Sequence, residues 1–395
     1  MACRAGHPDQ MTIIPTLEGK QIVIGITGSI AAVEMVKVIH ALRRRGADVH
    51  VVMSGAACGI VTPDALTYAC GKPAMTRITG LVEHVGFCGD GGTADLLLIA
   101  PSTANTISKI ACGIDDTPVT TFATTALGSS KPVLIVPAMH HSMYRHPAVM
   151  ENIGRLKKWG VTFIEPFIEE GKAKMAGAEE IVLFCERAVL GTQLAGKKVL
   201  LTSGPCREPV DDVRVLTTRS SGRMGRELAL EAFRRGADVT VVHRDMFPCV
   251  TNIHAETARE MRDGVIRSLS EDGADIYISA AAISDFSPIQ VDGKIPSGKE
   301  ASIRLSPLPK LLDEVLETGR PVTVAFKLGR DTEDQAKTLL KKGIALVVTN
   351  APETMGRDAG EYTVVSKKGS VALSGHKQVI AAGIWDALTG ILIKS

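Results

Sequence analysis

Among the eight cysteines (Cys3, Cys58, Cys70, Cys88, Cys112, Cys185, Cys206, Cys249) there is no C-x-x-C pair. That argues against a zinc site or a disulfide framework and fits a reducing cytoplasm. Aromatics are scarce: two Trp, four Tyr and nine Phe in 395 residues. The cores must therefore be aliphatic, as parallel sheets prefer. Neither sign of charge dominates: 45 Lys and Arg against 43 Asp and Glu leave a net charge of +2, so nothing marks a nucleic-acid or membrane surface. No apolar run approaches the roughly 20 residues that span a bilayer. The first 18 residues hold no long apolar core, so they read as a disordered tail and not as a signal peptide.

What the sequence does have is a repeat. Arg-Arg-Gly-Ala-Asp-Val-x-Val-Val runs from Arg44 to Val52 and again from Arg234 to Val242, differing only where His50 faces Thr240. Each copy follows an apolar run that ends in a small-residue loop, Lys20 to Ser29 in one case and Lys197 to Pro205 in the other. A further echo pairs Ala94–Ala100 with Ala274–Ala280. A chain of this length fits two domains of roughly 190 residues each. Runs such as Gln21–Ile26, Val49–Val52, Leu96–Ile99 and Val133–Val136 are apolar on both faces and read as central parallel strands. Between the first two, Ala31–Arg45 has helical apolar spacing, a basic last turn and then Gly46.

The pattern predicts an α/β protein: two tandem doubly wound (Rossmann-like or flavodoxin-like) three-layer domains with mainly parallel sheets. The expected boundaries are a tail over 1–18, one domain over 19–190 and another over 191–395, with the seam at Gly191-Thr-Gln-Leu-Ala-Gly196. Residues 285–310 are polar, rich in Pro and Gly and without periodicity. A loop of that length inside a compact domain is more often functional than idle.

Ligands of such sheets bind at the carboxyl ends of the strands. In the first half those ends carry Thr27-Gly28-Ser29-Ile30-Ala31, Met53-Ser54-Gly55, Ala100-Pro101-Ser102-Thr103-Ala104-Asn105 and Pro137-Ala138-Met139-His140. The first lacks G-x-G-x-x-G, but small residues still let a phosphate reach the amides of a helix N-terminus. Four small or polar mouths in succession point to a flat, phosphorylated ligand lying across them. With Glu83-His84, this set resembles the homo-oligomeric flavin-containing cysteine decarboxylases, a family that includes 4'-phosphopantothenoylcysteine decarboxylase, over roughly residues 18–190.

That resemblance implies FMN held by Gly28, Ser29, Ile30, Ser54, Ser102, Thr103 and Met139, with His84 as proton carrier and Asn105 holding the substrate carboxylate. Decarboxylation needs an electron sink; in this family, oxidation of the cysteine thiol to a thioaldehyde supplies it, and the protein positions the groups. Two departures stand out. His140 occupies a position that is Asn in many members. The segment Gly171–Gly177 lacks the Ala-Cys-Gly-Asp cysteine that protonates the enethiolate, so either Lys174, Lys172 or a distant cysteine such as Cys185 takes that part, or the reduction works differently. Lys174 is alternatively an anchor for the substrate phosphate.

In the second half, Ser203-Gly204-Pro205-Cys206-Arg207-Glu208-Pro209-Val210-Asp211 follows the restart strand, and Ser220-Ser221-Gly222-Arg223-Met224-Gly225 opens a helix running to Arg235. Arg223 can grip a phosphate or carboxylate bidentately beside the helix amides. Together with Ala280-Ala281 and Asp285 these motifs resemble phosphopantothenate–cysteine ligase, over roughly residues 196–388. The resemblance implies activation of a carboxylate as an acyl-cytidylate (or acyl-adenylate in eukaryotic forms), with Mg²⁺ and lysines offsetting the charge.

Carried over residue by residue, it implies nucleotide or substrate contacts at Gly204, Ser221, Gly222, Arg223, Ser279, Ala280, Ala281, Asp285, Pro309, Phe326 and Lys342. Lys294 opens the mobile lysine loop, which ends here at Lys299. Thr218 stands where an asparagine is common, and Thr338 where a lysine is, with Lys337 or Lys341 as substitutes. The two resemblances are consecutive steps toward coenzyme A. They imply a cytoplasmic homo-oligomer of decarboxylase trimers and ligase dimers, together a dodecamer, acting on 4'-phosphopantothenate, cysteine and CTP. The alternatives are a flavin-binding regulatory protein without activity or another flavin-dependent cysteine decarboxylase.

Overall fold

A computed structural model of the chain describes residues 14–169, 172–298, 300–319, 321–330 and 332–392. Residues 1–13 of the expected tail lie outside the described residues, as do Gly171 and Lys299. The end of that tail is corrected by the structure: Leu17 is fully buried in the first core, so packing starts before residue 19. The chain divides into two compact units, Met1–Leu190 and Gly191–Ser395.

The first unit carries strands β1 (Gln21–Ile26), β2 (Asp48–Met53), β3 (Leu96–Ser102), β4 (Val133–Pro137), β5 (Met139–His140), β6 (Thr162–Phe163), β7 (Phe167–Glu169) and β8 (Lys172–Lys174). A five-stranded sheet in the order β2-β1-β3-β4-β6 is parallel throughout. Alternation along β1 shows why. Ile22, Ile24 and Ile26 enter one core, with Met35, Val38, Ile39 and Leu42 of the helix Met35–Arg44. Val23 enters the other, with Ile107 and Phe122 of the helices Ala104–Ala111 and Pro118–Gly128. A strand apolar on both faces is stable only when helices cover both. The helix expected over Ala31–Arg45 is corrected at its start: Ile30–Glu34 is a 3₁₀ turn, and the α-helix begins at Met35.

The second unit continues with β9 (Lys198–Thr202), β10 (Arg207–Pro209), β11 (Val215–Thr217), β12 (Asp238–His243), β13 (Thr251–His254), β14 (Ile276–Ser279), β15 (Phe286–Pro288), β16 (Leu305–Pro307), β17 (Val322–Leu328), β18 (Leu346–Asn350), β19 (Ala359–Ser366) and β20 (Gly369–His376). Its eight-stranded sheet runs β13-β12-β9-β14-β17-β18-β19-β20, parallel as far as β18 and antiparallel over the last two pairings. The segment 285–310, expected to be a loop, contains the short antiparallel pair β15–β16.

In both units the chain leaves its first strand in one direction and later returns on the other side, so a switch point opens between β1 and β3 and between β9 and β14. Ligands of such sheets bind outside that crevice.

The repeated string forms the end of the first α-helix and the second strand, in chain order, of each unit's main sheet (β2 and β12), and its second arginine has a parallel role. Arg45 reaches the fully buried carboxylate of Glu186 on the unit's last helix (3.6 Å). Arg235 reaches Asp386 on the other unit's last helix (2.7 Å), along with Glu231 and Gln193. On that same last helix, Trp385 is fully buried and donates its indole N–H to the Leu228 carbonyl (3.0 Å). Trp385→Ala removes the largest core side chain and the second hydrogen bond to that helical carbonyl. It should cost about 3–5 kcal/mol, read as a lower denaturant midpoint for the second unit. A loss under about 1 kcal/mol would refute this account of the core.

Candidate functional site

In the first unit, the loops after β1 and β3 are tied across the crevice. The Thr27 hydroxyl donates to the Pro101 carbonyl (2.8 Å) and accepts from the Thr103 amide (3.1 Å). Gly28 must be glycine here, because a Cβ would stand 2.6 Å from that of Ala56. The hydroxyls of Ser54 and Thr103 cap the following helices by accepting from Ala57 and Thr106 amides. Ser102, at the end of β3, is fully buried, and its Oγ has no hydrogen-bond partner among the described residues. A buried hydroxyl left without a partner is costly, which marks Ser102 as a group awaiting a ligand.

Beside these loops lies a cavity of about 680 Å³ whose lining includes Ser29, Ile30, Met139, His140, Lys172 and Lys174. Ile30 is 77% exposed, an unusual position for isoleucine. Met139 and His140 form a short strand against β8, which pairs in turn with β7. The expected clamp is therefore a small antiparallel sheet covering the cavity. Phe167 and Lys172 also line it, and no local motif announced Phe167. Lys174 pairs with Glu169 (2.7 Å). Cys185 is corrected as a proton donor: it is fully buried in the core, where desolvation pushes its thiol far above the ordinary range.

His84 and Asn105 do not line this cavity within one chain. His84 sits on the short helix Glu83–Cys88, edge-on to Phe122 at 6.4 Å between centroids. Its Nδ1 is buried and has no hydrogen-bond partner among the described residues. Asn105 is exposed in the first turn of the helix Ala104–Ala111.

In the second unit the switch point is closed by backbone. Ala282 donates to the Gly204 carbonyl (2.9 Å), Cys206 donates to the Ala282 carbonyl (3.2 Å), and the Ala281 amide reaches the Thr202 hydroxyl (3.4 Å). Over it opens a cavity of about 420 Å³ whose lining includes Ser221, Gly222, Arg223, Ala280, Ala281 and Asp285, with Phe326 opposite. Gly204 and Ser279 lie at the strand ends beneath.

Gly225 lets the helix Arg223–Arg234 close on β9, since a Cβ would meet the Ser203 Oγ at 2.2 Å and its Cα at 3.2 Å. Gly225→Ala should therefore displace that helix and cost about 1–3 kcal/mol in a denaturant titration. An unchanged midpoint would show that the contact relaxes freely.

Three expected contacts lie elsewhere. Lys342, placed by resemblance at the nucleotide's triphosphate, pairs with Asp313 (2.8 Å) outside the cavity lining. Lys337, one of the two substitutes for the companion lysine that falls on Thr338, pairs with Glu333 (2.8 Å). Pro309 and Lys294 are exposed.

The segment around Lys294 is nevertheless anchored. The Asp211 carboxylate, with no exposed side-chain surface, accepts from the amides of Ile295 (2.9 Å), Val213 (2.9 Å) and Arg214 (2.7 Å) and from the Arg214 guanidinium (2.5 Å). The Ile295 amide, first among these donors, holds the Asp211 carboxyl well below the usual carboxylate range, outweighing desolvation. Reading the sequence did not single out Asn350, Thr354, Tyr362 or Lys377, which join the cavity from the far strands and the last helix. No group of three or more His, Cys, Asp or Glu among the described residues can hold a metal, and no helix among them is long and apolar enough to cross a membrane.

Comparison with known proteins gives two family matches: "Flavoprotein" over residues 15–190, and "DNA/pantothenate metabolism flavoprotein C-terminal domain" over residues 194–391. The coenzyme A biosynthesis bifunctional protein CoaBC of Thermococcus kodakarensis is 44% identical, covering 95% of this chain and 96% of its own length. The protein of the same name from Methanocaldococcus jannaschii is 35% identical, covering 98% of each. A crystal structure of the C-terminal domain of a CoaBC protein matches 52% of this chain and all of its own at 28% identity, with a TM-score of 0.45.

Proposed function

From the premise that this chain belongs to the CoaBC family of bifunctional coenzyme A biosynthesis proteins, with an N-terminal flavoprotein decarboxylase unit and a C-terminal ligase unit, we propose the division of work between its residues. The second unit joins cysteine to 4'-phosphopantothenate at the expense of CTP, with Mg²⁺ carried on the phosphates. The first unit decarboxylates the product to 4'-phosphopantetheine with FMN.

The observation that carries the FMN assignment is the buried, unpartnered Oγ of Ser102 beside the Gly28 approach. These residues fit a flavin phosphate and ring: open amides, a spare hydroxyl and a glycine cradle. The chemistry such a group supplies when bound is two-electron redox at the substrate thiol. Ser29, Ser54, Ser102 and Thr103 donate to it, while Ile30 and Met139 keep water from its ring. His84 takes and returns the proton at Nδ1. Asn105 orients the departing carboxylate through its amide N–H groups. The exposure of Ile30 and the separation of His84 from the cavity within one chain support assembly in trimers, with a neighbour completing each site.

On the ligase side a carboxylate is a poor acylating agent, so a nucleotide must give it a leaving group. Arg223 and the amides at the start of the helix Arg223–Arg234 bind phosphate, Phe326 and Asp285 face the nucleoside, and Lys294 offsets the charge gathering during transfer. The test is turnover by the purified chain with 4'-phosphopantothenate, cysteine and Mg²⁺, offering CTP and ATP in turn and following pyrophosphate and CO₂ separately. Pyrophosphate release with CTP and CO₂ release by a yellow protein are expected. A colourless protein that forms no 4'-phosphopantetheine would contradict the assignment, and a preference for ATP would correct the nucleotide alone.

A further inference from the structure

The second cavity contains a cation that neither of its recognised loops supplies. Lys377 is the first residue of the sixteen-residue helix Lys377–Leu392, and it lines the cavity together with Arg223. It is only 6% exposed. No hydrogen bond or ion pair reaches its amine among the described residues. An ammonium on so buried a side chain, lining a cavity and without a protein partner, is expensive, and proteins retain one where something binds it.

Its surroundings are cationic as well. Burial holds the Lys377 amine below the ordinary lysine range, the Arg223 charge acts in the same sense, and Asp358 opposes both. Arg223 donates to the Gly356 carbonyl and to Asp358, each at 2.8 Å, but that pair is half exposed (49% and 64% of the side chains) and so worth little. Across from Lys377, the helix Arg223–Arg234 starts at Gly222 with no side-chain cap, so its first amides are open to the cavity. Arg223, Lys377 and an uncapped helix N-terminus thus face one space, opposed by two exposed carboxylates, Asp285 in the lining and Asp358 beside Arg223, of which an arriving anion can displace the latter from the guanidinium.

We propose that Lys377, acting with Arg223 and the open amides at the start of the helix Arg223–Arg234, forms a phosphate-binding subsite of the ligase cavity. The subsite rests on the ligase reading of this unit and adds to it a contact from the far end of the chain. A phosphate can come from two sources here, the nucleotide or phosphopantothenate, and both present the same oxyanion to the same donors.

Calorimetric titration of the full chain with CTP–Mg²⁺ and, separately, with 4'-phosphopantothenate distinguishes them. Lys377→Gln should weaken one ligand by about ten- to a hundredfold, the range for losing a hydrogen bond to a charged group, and Lys377→Arg should restore most of it. Loss confined to CTP assigns the subsite to the nucleotide, and loss confined to phosphopantothenate assigns it to the substrate. Equal loss for both that Lys377→Arg does not rescue marks a structural role and overturns the proposal, as does wild-type affinity for both. Should Lys377→Gln fail to fold, Asp358→Asn decides. Removing the exposed competing carboxylate should tighten the same phosphate ligand several-fold, and unchanged or weaker binding overturns the subsite. A wild-type chain that binds neither ligand overturns the ligase reading and the subsite with it. A wild type that binds, beside a Lys377→Gln variant that binds as well, overturns the subsite alone.

Discussion

His84→Asn should leave the protein yellow and abolish decarboxylation. We propose His84 as the proton carrier, and the structure gives it a buried Nδ1 with no hydrogen-bond partner among the described residues. Asn is close in size and keeps a polar tip, yet it cannot carry a proton near neutral pH. Removal of a general acid–base group lowers rates by about 10²–10⁴-fold, so CO₂ release should fall by that factor. The proposed FMN contacts come from other loops, so the flavin absorbance and its stoichiometry should not change. Pyrophosphate release by the ligase unit should also persist, which serves as an internal control for folding. If CO₂ release survives within a few-fold, the proton passes through another group, and Lys172 and Lys174 become the first alternatives because both line the cavity.

The second large effect is expected at Lys294. Lys294→Gln removes a charge that we propose meets the triphosphate or the acyl transfer state. Losses of single preorganised electrostatic contacts commonly reach about 10²–10³-fold in kcat. Pyrophosphate release should fall accordingly while decarboxylation of supplied phosphopantothenoylcysteine continues. Asp211 supplies a test of position. It does not touch the lysine side chain; it anchors the neighbouring backbone at Ile295. Asp211→Asn should therefore lower ligase turnover mainly through kcat, and it should also destabilise the second unit.

The sign of the accompanying pH effect follows from the depressed carboxyl of Asp211. Its stabilisation is complete above the unfolded carboxylate pKa of about 3.9 and is lost as pH falls toward the lower folded value. Acid unfolding of the second unit should steepen below about pH 4 in the wild type and flatten in Asp211→Asn. Parallel acid transitions for the two proteins would remove Asp211 from this role.

Much of the architecture was legible because parallel strands leave a strong local trace. β1 and β9 must be apolar on both faces, and the helices after them must end before a glycine, so periodicity and turn chemistry agree. The strand-end loops were legible for a related reason, since small residues in Gly28–Ser29 and Ser220–Gly225 serve backbone approach, which the sequence records directly. The short pair β15–β16 was not, because two three-residue strands with Pro at one end of each carry too little periodicity. Nor was the 3₁₀ start of the first helix, where the apolar spacing continues without a break.

The sequence by itself determined that there are two doubly wound units, which loops stand at their switch points, and which half resembles the flavin enzyme and which the ligase. These are properties of neighbours in the chain: alternation, caps and glycine spacing act over a few residues. Only the tertiary structure decided that Cys185 faces the core, that Lys342 is taken by Asp313 and lies outside the cavity, that Asp211 holds the lysine loop, and that Lys377 meets Arg223. Each of these depends on side chains brought together from distant segments. The physical reason is that charge and burial act through space: a lysine at a helix start has the same local sequence whether it ends in solvent or beside a second cation in a cavity.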